Sequence, residues 1–120
     1  MLRQWSLAVV IALAVVAFTS HLTFAHHGWS GYDSKQVLNL TGVIQESGYE
    51  HPHSYLRLAV DDKVWLVVLA PPSRMERRGV AREMLAVGTT VTVVGYPHRS
   101  DAEEMRVERI TVNGKTAELR

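Results

Sequence analysis

The sequence predicts a mainly β domain: a small five-stranded OB-like Greek-key barrel with a short helix between strands 3 and 4, preceded by a cleavable signal peptide. Three observations predict it. Five short segments rich in β-branched residues recur between turn signals along residues 37–112. The one helix-like stretch falls after the third segment, which is the element order of an OB-fold. The apolar run at the start has the layout of a secretory signal and stands apart from the rest.

That first segment, MLRQWSLAVVIALAVVAFTSHLTFA, carries Arg3 before an apolar stretch from Leu7 to Phe18. The stretch suits a signal h-region, and a membrane-spanning helix needs about 20 apolar residues. Thr23-Phe24-Ala25 puts small residues at the −3 and −1 positions, so cleavage is expected after Ala25. Cuts after Ser20 or His27 would put Phe18 at −3 or a histidine at −1. The alternative is an uncleaved N-terminal anchor. The expected organisation is a signal peptide at 1–25, an irregular leader at 26–36 and a barrel domain at 37–120, periplasmic and without stable membrane insertion once processed.

The leader holds Gly28, Ser30, Gly31, Asp33 and Ser34, which favour turns, while Trp29 and Tyr32 are expected to pin it to the domain. Val37 to Ser47 reads as strand one, with Leu38, Leu40 and Ile44 on one parity and Gly42 as a bend or bulge. Gly48 to His53 breaks the pattern around Pro52. Ser54 to Val60 is strand two, Asp61-Asp62-Lys63 a hairpin turn, and Val64 to Leu69 strand three. Strand three is apolar on both parities and is expected to be buried on both faces. Ser73 and Glu76 have the spacing of a capping box, which predicts a helix from Arg74, with further turns over Val80 to Leu85 after Gly79. Thr90 to Gly95 is strand four and Glu104 to Val112 strand five. In strand five the apolar parity switches between Val107 and Ile110, which requires a bulge near Glu108. Asn113-Gly114 signals a type I′ turn into an edge strand over Thr116 to Leu119.

The chain has 13 basic and 12 acidic residues, and loss of Arg3 with the signal balances them. A nucleic-acid binder normally shows a basic footprint, so none is expected as a partner. There is no cysteine, which excludes disulfides, thiolate metal sites and cysteine nucleophiles. Ser73 has no evident base, the carboxylates are scattered, and a non-enzymatic protein is expected. Arg74, Arg77, Arg78 and Arg82 read as a solvated face paired with Glu76 and Glu83; contact with anionic lipid or an acidic partner is the alternative. Met75, Met84 and Met105 read as core packing rather than as soft Cu(I) ligands.

Of the six histidines, His21 leaves with the signal. His26, His27, His51, His53 and His98 form the candidate metal constellation. On an OB-fold the loop between strands one and two, carrying His51 and His53, and the loop between strands four and five, carrying His98, flank one face. Cleavage after Ala25 would make His26 the first residue, so that its free amine and ring nitrogen can chelate one ion. Imidazole suits copper, zinc and nickel, and a tetragonal nitrogen set favours Cu(II), so copper is expected ahead of zinc. His27 offers a rival arrangement through its ring and the preceding backbone nitrogen. The competing readings are solvated or structural histidines, and a metal-free module whose Tyr49, Tyr55, Trp65 and Tyr96 bind a small molecule, peptide or envelope partner.

AHHGWSGYD, LTGVI, YEHPHSYLRL, VWLVVLAPPSRMERRG, VTVVGYPHR and EMRVERITVNG together resemble a family of small exported bacterial proteins of unassigned function. Its members show Ala-His-His-x-aromatic, Thr-Gly-x-Val/Ile, Asn-Pro-His, Pro-x-x-Met/Leu-x-Arg-x-Gly and Gly-x-Pro. The resemblance spans nearly the whole chain after Ala25 and implies periplasmic export and an OB-like barrel. His26 and His27 match the opening pair. His53 matches the motif histidine, His51 stands in the Asn position, and His98 matches no motif position.

Overall fold

The structure, a computed structural model, describes residues 28–120; the signal-like segment, His26 and His27 lie outside them. A 3-10 turn at Trp29–Gly31 opens the described chain. The strands are β1 (Leu38–Gly48), β2 (Tyr55–Val60), β3 (Lys63–Val68), β4 (Thr90–Pro97), β5 (Glu104–Val112) and β6 (Lys115–Glu118), with helix α1 (Pro72–Arg77) between β3 and β4.

The strand order is β3-β2-β1-β4-β5-β6, and a parallel β3–β5 pairing closes the first five into a barrel. Every neighbour but that pair is antiparallel. Closure removes the free edges of the five barrel strands. This is the OB-like barrel the element order predicts, with β6 added to the far half of β5. Alternation supplies the core: Ile44, Leu56, Leu58, Val93, Met105 and Ile110 are all at most 1% exposed. Each such side chain gains about 1.5–3 kcal/mol from leaving water. Met75 is buried with them, and Met84 packs on their edge, as expected of core methionines.

The parity switch in β5 has the anticipated cause. Val94 pairs with Arg109 but Gly95 pairs with Val107, so Glu108 is the extra residue of a bulge. The turn into β6 has Asn113 at φ 52° and Gly114 at φ 76°, the two positive φ values a type I′ turn requires.

Other expectations are corrected. Gly42 is not the bulge of β1, which falls between Ile44 and Glu46. Gly42 instead allows a close approach of strands, since a Cβ there would collide with the carbonyl of Ala59 on β2. Strand β3 is not buried on both faces: Val67 is enclosed, whereas Val64 is 40% exposed. A closed barrel wall has one inner face, and among the described residues no second layer covers Val64 on the outside of β3. Helix α1 starts at Pro72, whose fixed φ suits the first turn, and Ser73 makes no cap hydrogen bond. Val80–Leu85 is not a continuation of α1; Gly79, at φ 81°, ends it, and a separate 3-10 turn spans Arg82–Leu85. The arginines there form no ion pair with Glu76 or Glu83 among the described residues. Arg74 donates to the Leu119 carbonyl and Arg82 to that of Tyr49.

Candidate functional site

The leader is latched to one rim of the barrel. Tyr32 forms a β-bridge with His98, and the Asp33 amide donates to the Pro97 carbonyl at 2.9 Å. The Arg99 amide donates to the Gly31 carbonyl, also at 2.9 Å. Tyr32 is buried, and its hydroxyl donates to Glu104 Oε2 at 2.6 Å. Burial, and then the Glu104 carboxylate, push that phenol well above its ordinary range. Trp29 meets Tyr96 edge-on at 6.1 Å, and the guanidinium groups of Arg106 and Arg120 lie 4.2 Å and 4.7 Å from its ring centre. Both rings therefore pin the leader, as the sequence suggests.

Tyr32→Phe is expected to keep the barrel and to loosen the leader. A hydrogen bond to a charged group contributes about 1.5–3 kcal/mol. Hydrogen exchange should quicken at the Tyr32 and Asp33 amides and stay unchanged at Leu56 and Leu58. Equal protection in both proteins would contradict the latch.

The histidines fall into different settings. His51 is exposed, before the cis bond to Pro52. His98 is engaged in the fold: its Nδ1 accepts from the Ser100 and Asp101 amides at 3.2 Å and 3.0 Å. Its Nε2 lies 3.9 Å from Glu104 Oε2, and its ring meets Tyr32 edge-on at 5.2 Å. His53 is partly exposed, and its Nδ1 is buried with no hydrogen-bond partner. The neighbouring Ser54 hydroxyl is orphaned in the same way. Among the described residues, no three histidines or carboxylates come together to hold a metal ion.

Burial, then the charges of Arg106 and Arg74, lower the pKa of His53. The ring is thus held neutral where a free histidine begins to protonate. A pKa lowered on folding costs stability only under acid: the contribution is intact above the unfolded value of about 6.5 and is lost as pH falls through the folded value. Unfolding of the wild type by urea should therefore become easier between pH 7 and 5, and a His53→Gln variant should show a flatter profile there. Parallel profiles would overturn this account of His53.

Arg106 is the residue that sequence reasoning missed. It projects from β5 between the inward Met105 and Val107, yet it is only 7% exposed. Its Nε has no partner, and it forms no ion pair with a described carboxylate. Trp29 covers it, and a Cβ added at Gly28 would lie 4.0 Å from its Nη1. Arg106 therefore neighbours the start of the leader, and its charge is felt at His53. No local pattern in the sequence signals this, because the cover comes from a segment more than seventy positions away.

The four aromatic residues of the competing reading do not share one surface. The Tyr49 hydroxyl donates to the Val80 carbonyl at 2.8 Å and tethers the segment after α1. Tyr55 lays its ring over Gly48. Trp65 sits under the Lys63 ammonium at 3.7 Å and borders an open hollow with Leu40 and Val60. Tyr96 faces Trp29 and donates to Glu108 Oε2 at 2.7 Å.

Residues 12–106 match the model of a family of unknown function, DUF6152. The chain belongs to that family. Membership of DUF6152 agrees with the resemblance to a family of unassigned function. No curated protein matches the chain. Among solved structures, a chain in the crystal structure of TiaS in complex with a tRNA and ATP is similar, with TM-score 0.50 and 18% identity. The match covers 74% of this chain and 20% of that one. At that identity the likeness concerns the fold alone, and this DUF6152 chain spans about a fifth of the other protein's length. Among the described residues no helix is long and apolar enough to cross a membrane.

Proposed function

We propose that this DUF6152 protein is an exported, periplasmic, non-enzymatic domain that binds copper through His26, His27 and His53 and serves in metal buffering or delivery. The single observation that carries the reading is the setting of His53. Its ring is held neutral and lacks any partner at Nδ1, and it feels the charge of Arg106, which lies beside Gly28. His27 is joined directly to Gly28, with about 3.8 Å between Cα atoms, and His26 is one residue further. Cleavage after Ala25 would add a free amine and two more imidazoles to the segment that precedes Gly28. A neutral imidazole has no proton to displace when a metal arrives.

The guanidinium groups of Arg106 and Arg74 repel a metal ion as they repel a proton. The nitrogen donors must outweigh that repulsion. Copper(II) stands at the top of the affinity order for such donors, which is why it is proposed ahead of zinc. His98, with Nδ1 already accepting two amides, is a secondary ligand at best, and exposed His51 is an auxiliary one.

The tRNA in the similar complex is that protein's ligand. This chain lacks the basic excess that supports nucleic-acid binding. The second reading, a metal-free module for a small molecule, peptide or envelope partner, is favoured by the open hollow at Leu40, Val60 and Trp65.

Electron paramagnetic resonance on exported protein with one equivalent of Cu(II) tests the reading. A tetragonal signal with nitrogen splitting is expected. A signal indistinguishable from copper in buffer would overturn it.

A further inference from the structure

We propose that the cleft between the leader and the barrel rim is a binding site for a small oxyanion, a carboxylate or a phosphate. It goes beyond the copper reading and uses none of its ligands. The cleft encloses about 230 Å³, with Trp29, Ser30, Ser34, Tyr96, Arg99 and Arg120 on its walls. That volume suits a small molecule rather than a peptide; sites for drug-sized ligands run from about 300 Å³ upward.

Its charge is unbalanced. Among the described residues no Asp or Glu side chain lines it, while two arginines do. Arg99 fixes its position by donating from Nε to the Ser30 carbonyl at 3.0 Å. Its terminal nitrogens meet no carboxylate within ion-pair distance among the described residues, so they are unspent. Arg120 lies 3.8 Å from Glu108 Oε1, but the other oxygen of that carboxylate already accepts from Tyr96 at 2.7 Å. Arg120 thus meets only one oxygen of a carboxylate that it shares with Tyr96. Behind the cleft, Arg106 adds a third cation, 4.2 Å from the Trp29 ring, buried and unpaired, with Nε orphaned.

A buried charge without a counter-charge is costly. An anion in the cleft would relieve part of that cost at Arg106 and accept directly from Arg99, Arg120 and the two serine hydroxyls. Charge-assisted bonds of this kind are the strong ones. The Trp29 ring, held between leader and barrel, would report the event.

The test is a nuclear magnetic resonance titration of the processed protein with inorganic phosphate and, separately, with succinate, each matched in ionic strength by sodium chloride. Either oxyanion should shift the Trp29 indole N–H and the Arg99 Nε–H saturably, and whichever acts identifies the class. The double variant Arg99→Gln/Arg120→Gln, in which the Leu56 and Leu58 amide signals of the barrel core should stay in place, should bind at least about tenfold more weakly, the loss of roughly one charge-assisted bond. The proposal is overturned if sodium chloride gives the same shifts. It is also overturned if neither oxyanion saturates by roughly tens of millimolar, or if the double variant binds as the wild type does.

Discussion

On the copper proposal, Cu(II) is expected to raise the melting temperature of protein beginning at His26, and His53→Ala to abolish that rise. A ligand at a hundredfold excess over its Kd stabilises by about 2.7 kcal/mol. For a domain of this size each kcal/mol moves Tm by about 4–8 °C, so the wild type should gain on the order of 10–20 °C. The variant should gain nothing beyond the response of an unrelated barrel. Without metal it should melt close to the wild type, because the buried Nδ1 of His53 has no hydrogen bond to lose. Differential scanning calorimetry with and without copper gives both numbers. A variant that keeps the full copper shift would remove His53 from the site.

Gly95→Ala carries the largest expected effect on the fold. A Cβ at Gly95 would meet the Arg106 carbonyl and the Val107 backbone on β5. The obstruction is main chain at the Glu108 bulge, where β4 and β5 are in register only because Gly95 allows close approach. Overpacking costs about 1–3 kcal/mol where side chains can yield, and backbone yields less. Chemical denaturation should show at least that loss, and Arg106, carried by the same stretch, should become more exposed. Val87→Ala, at a site 69% exposed, should leave stability unchanged. Wild-type stability in Gly95→Ala would contradict the tight β4–β5 seam.

The barrel was legible because its signals are local. Alternation along β2 and β4 turns Leu56, Leu58, Val91 and Val93 inward, and the parity break in β5 locates the bulge at Glu108. Asn113-Gly114 announced its own turn. The errors have physical reasons too. Composition made β3 look doubly buried, but burial on the outer face depends on what covers it. The Ser73 and Glu76 spacing imitates a cap, but Pro72 already sets the start of α1. The candidate site was legible only in its residue types. That His98 is bridged to Tyr32 and that Arg106 lies under Trp29 follow from contacts across the chain. Such contacts leave no trace in local pattern.

The central claim is that removal of the signal completes a metal site whose other half is His53. The most direct measurement is a Cu(II) titration of two exported proteins, checked by intact mass. One begins at His26, and the other carries a single additional residue ahead of it. Tight one-to-one binding by the first, weakened strongly in the second, is the predicted result, since the extra residue converts the chelating amine into an amide. Equal binding by both proteins would contradict the claim.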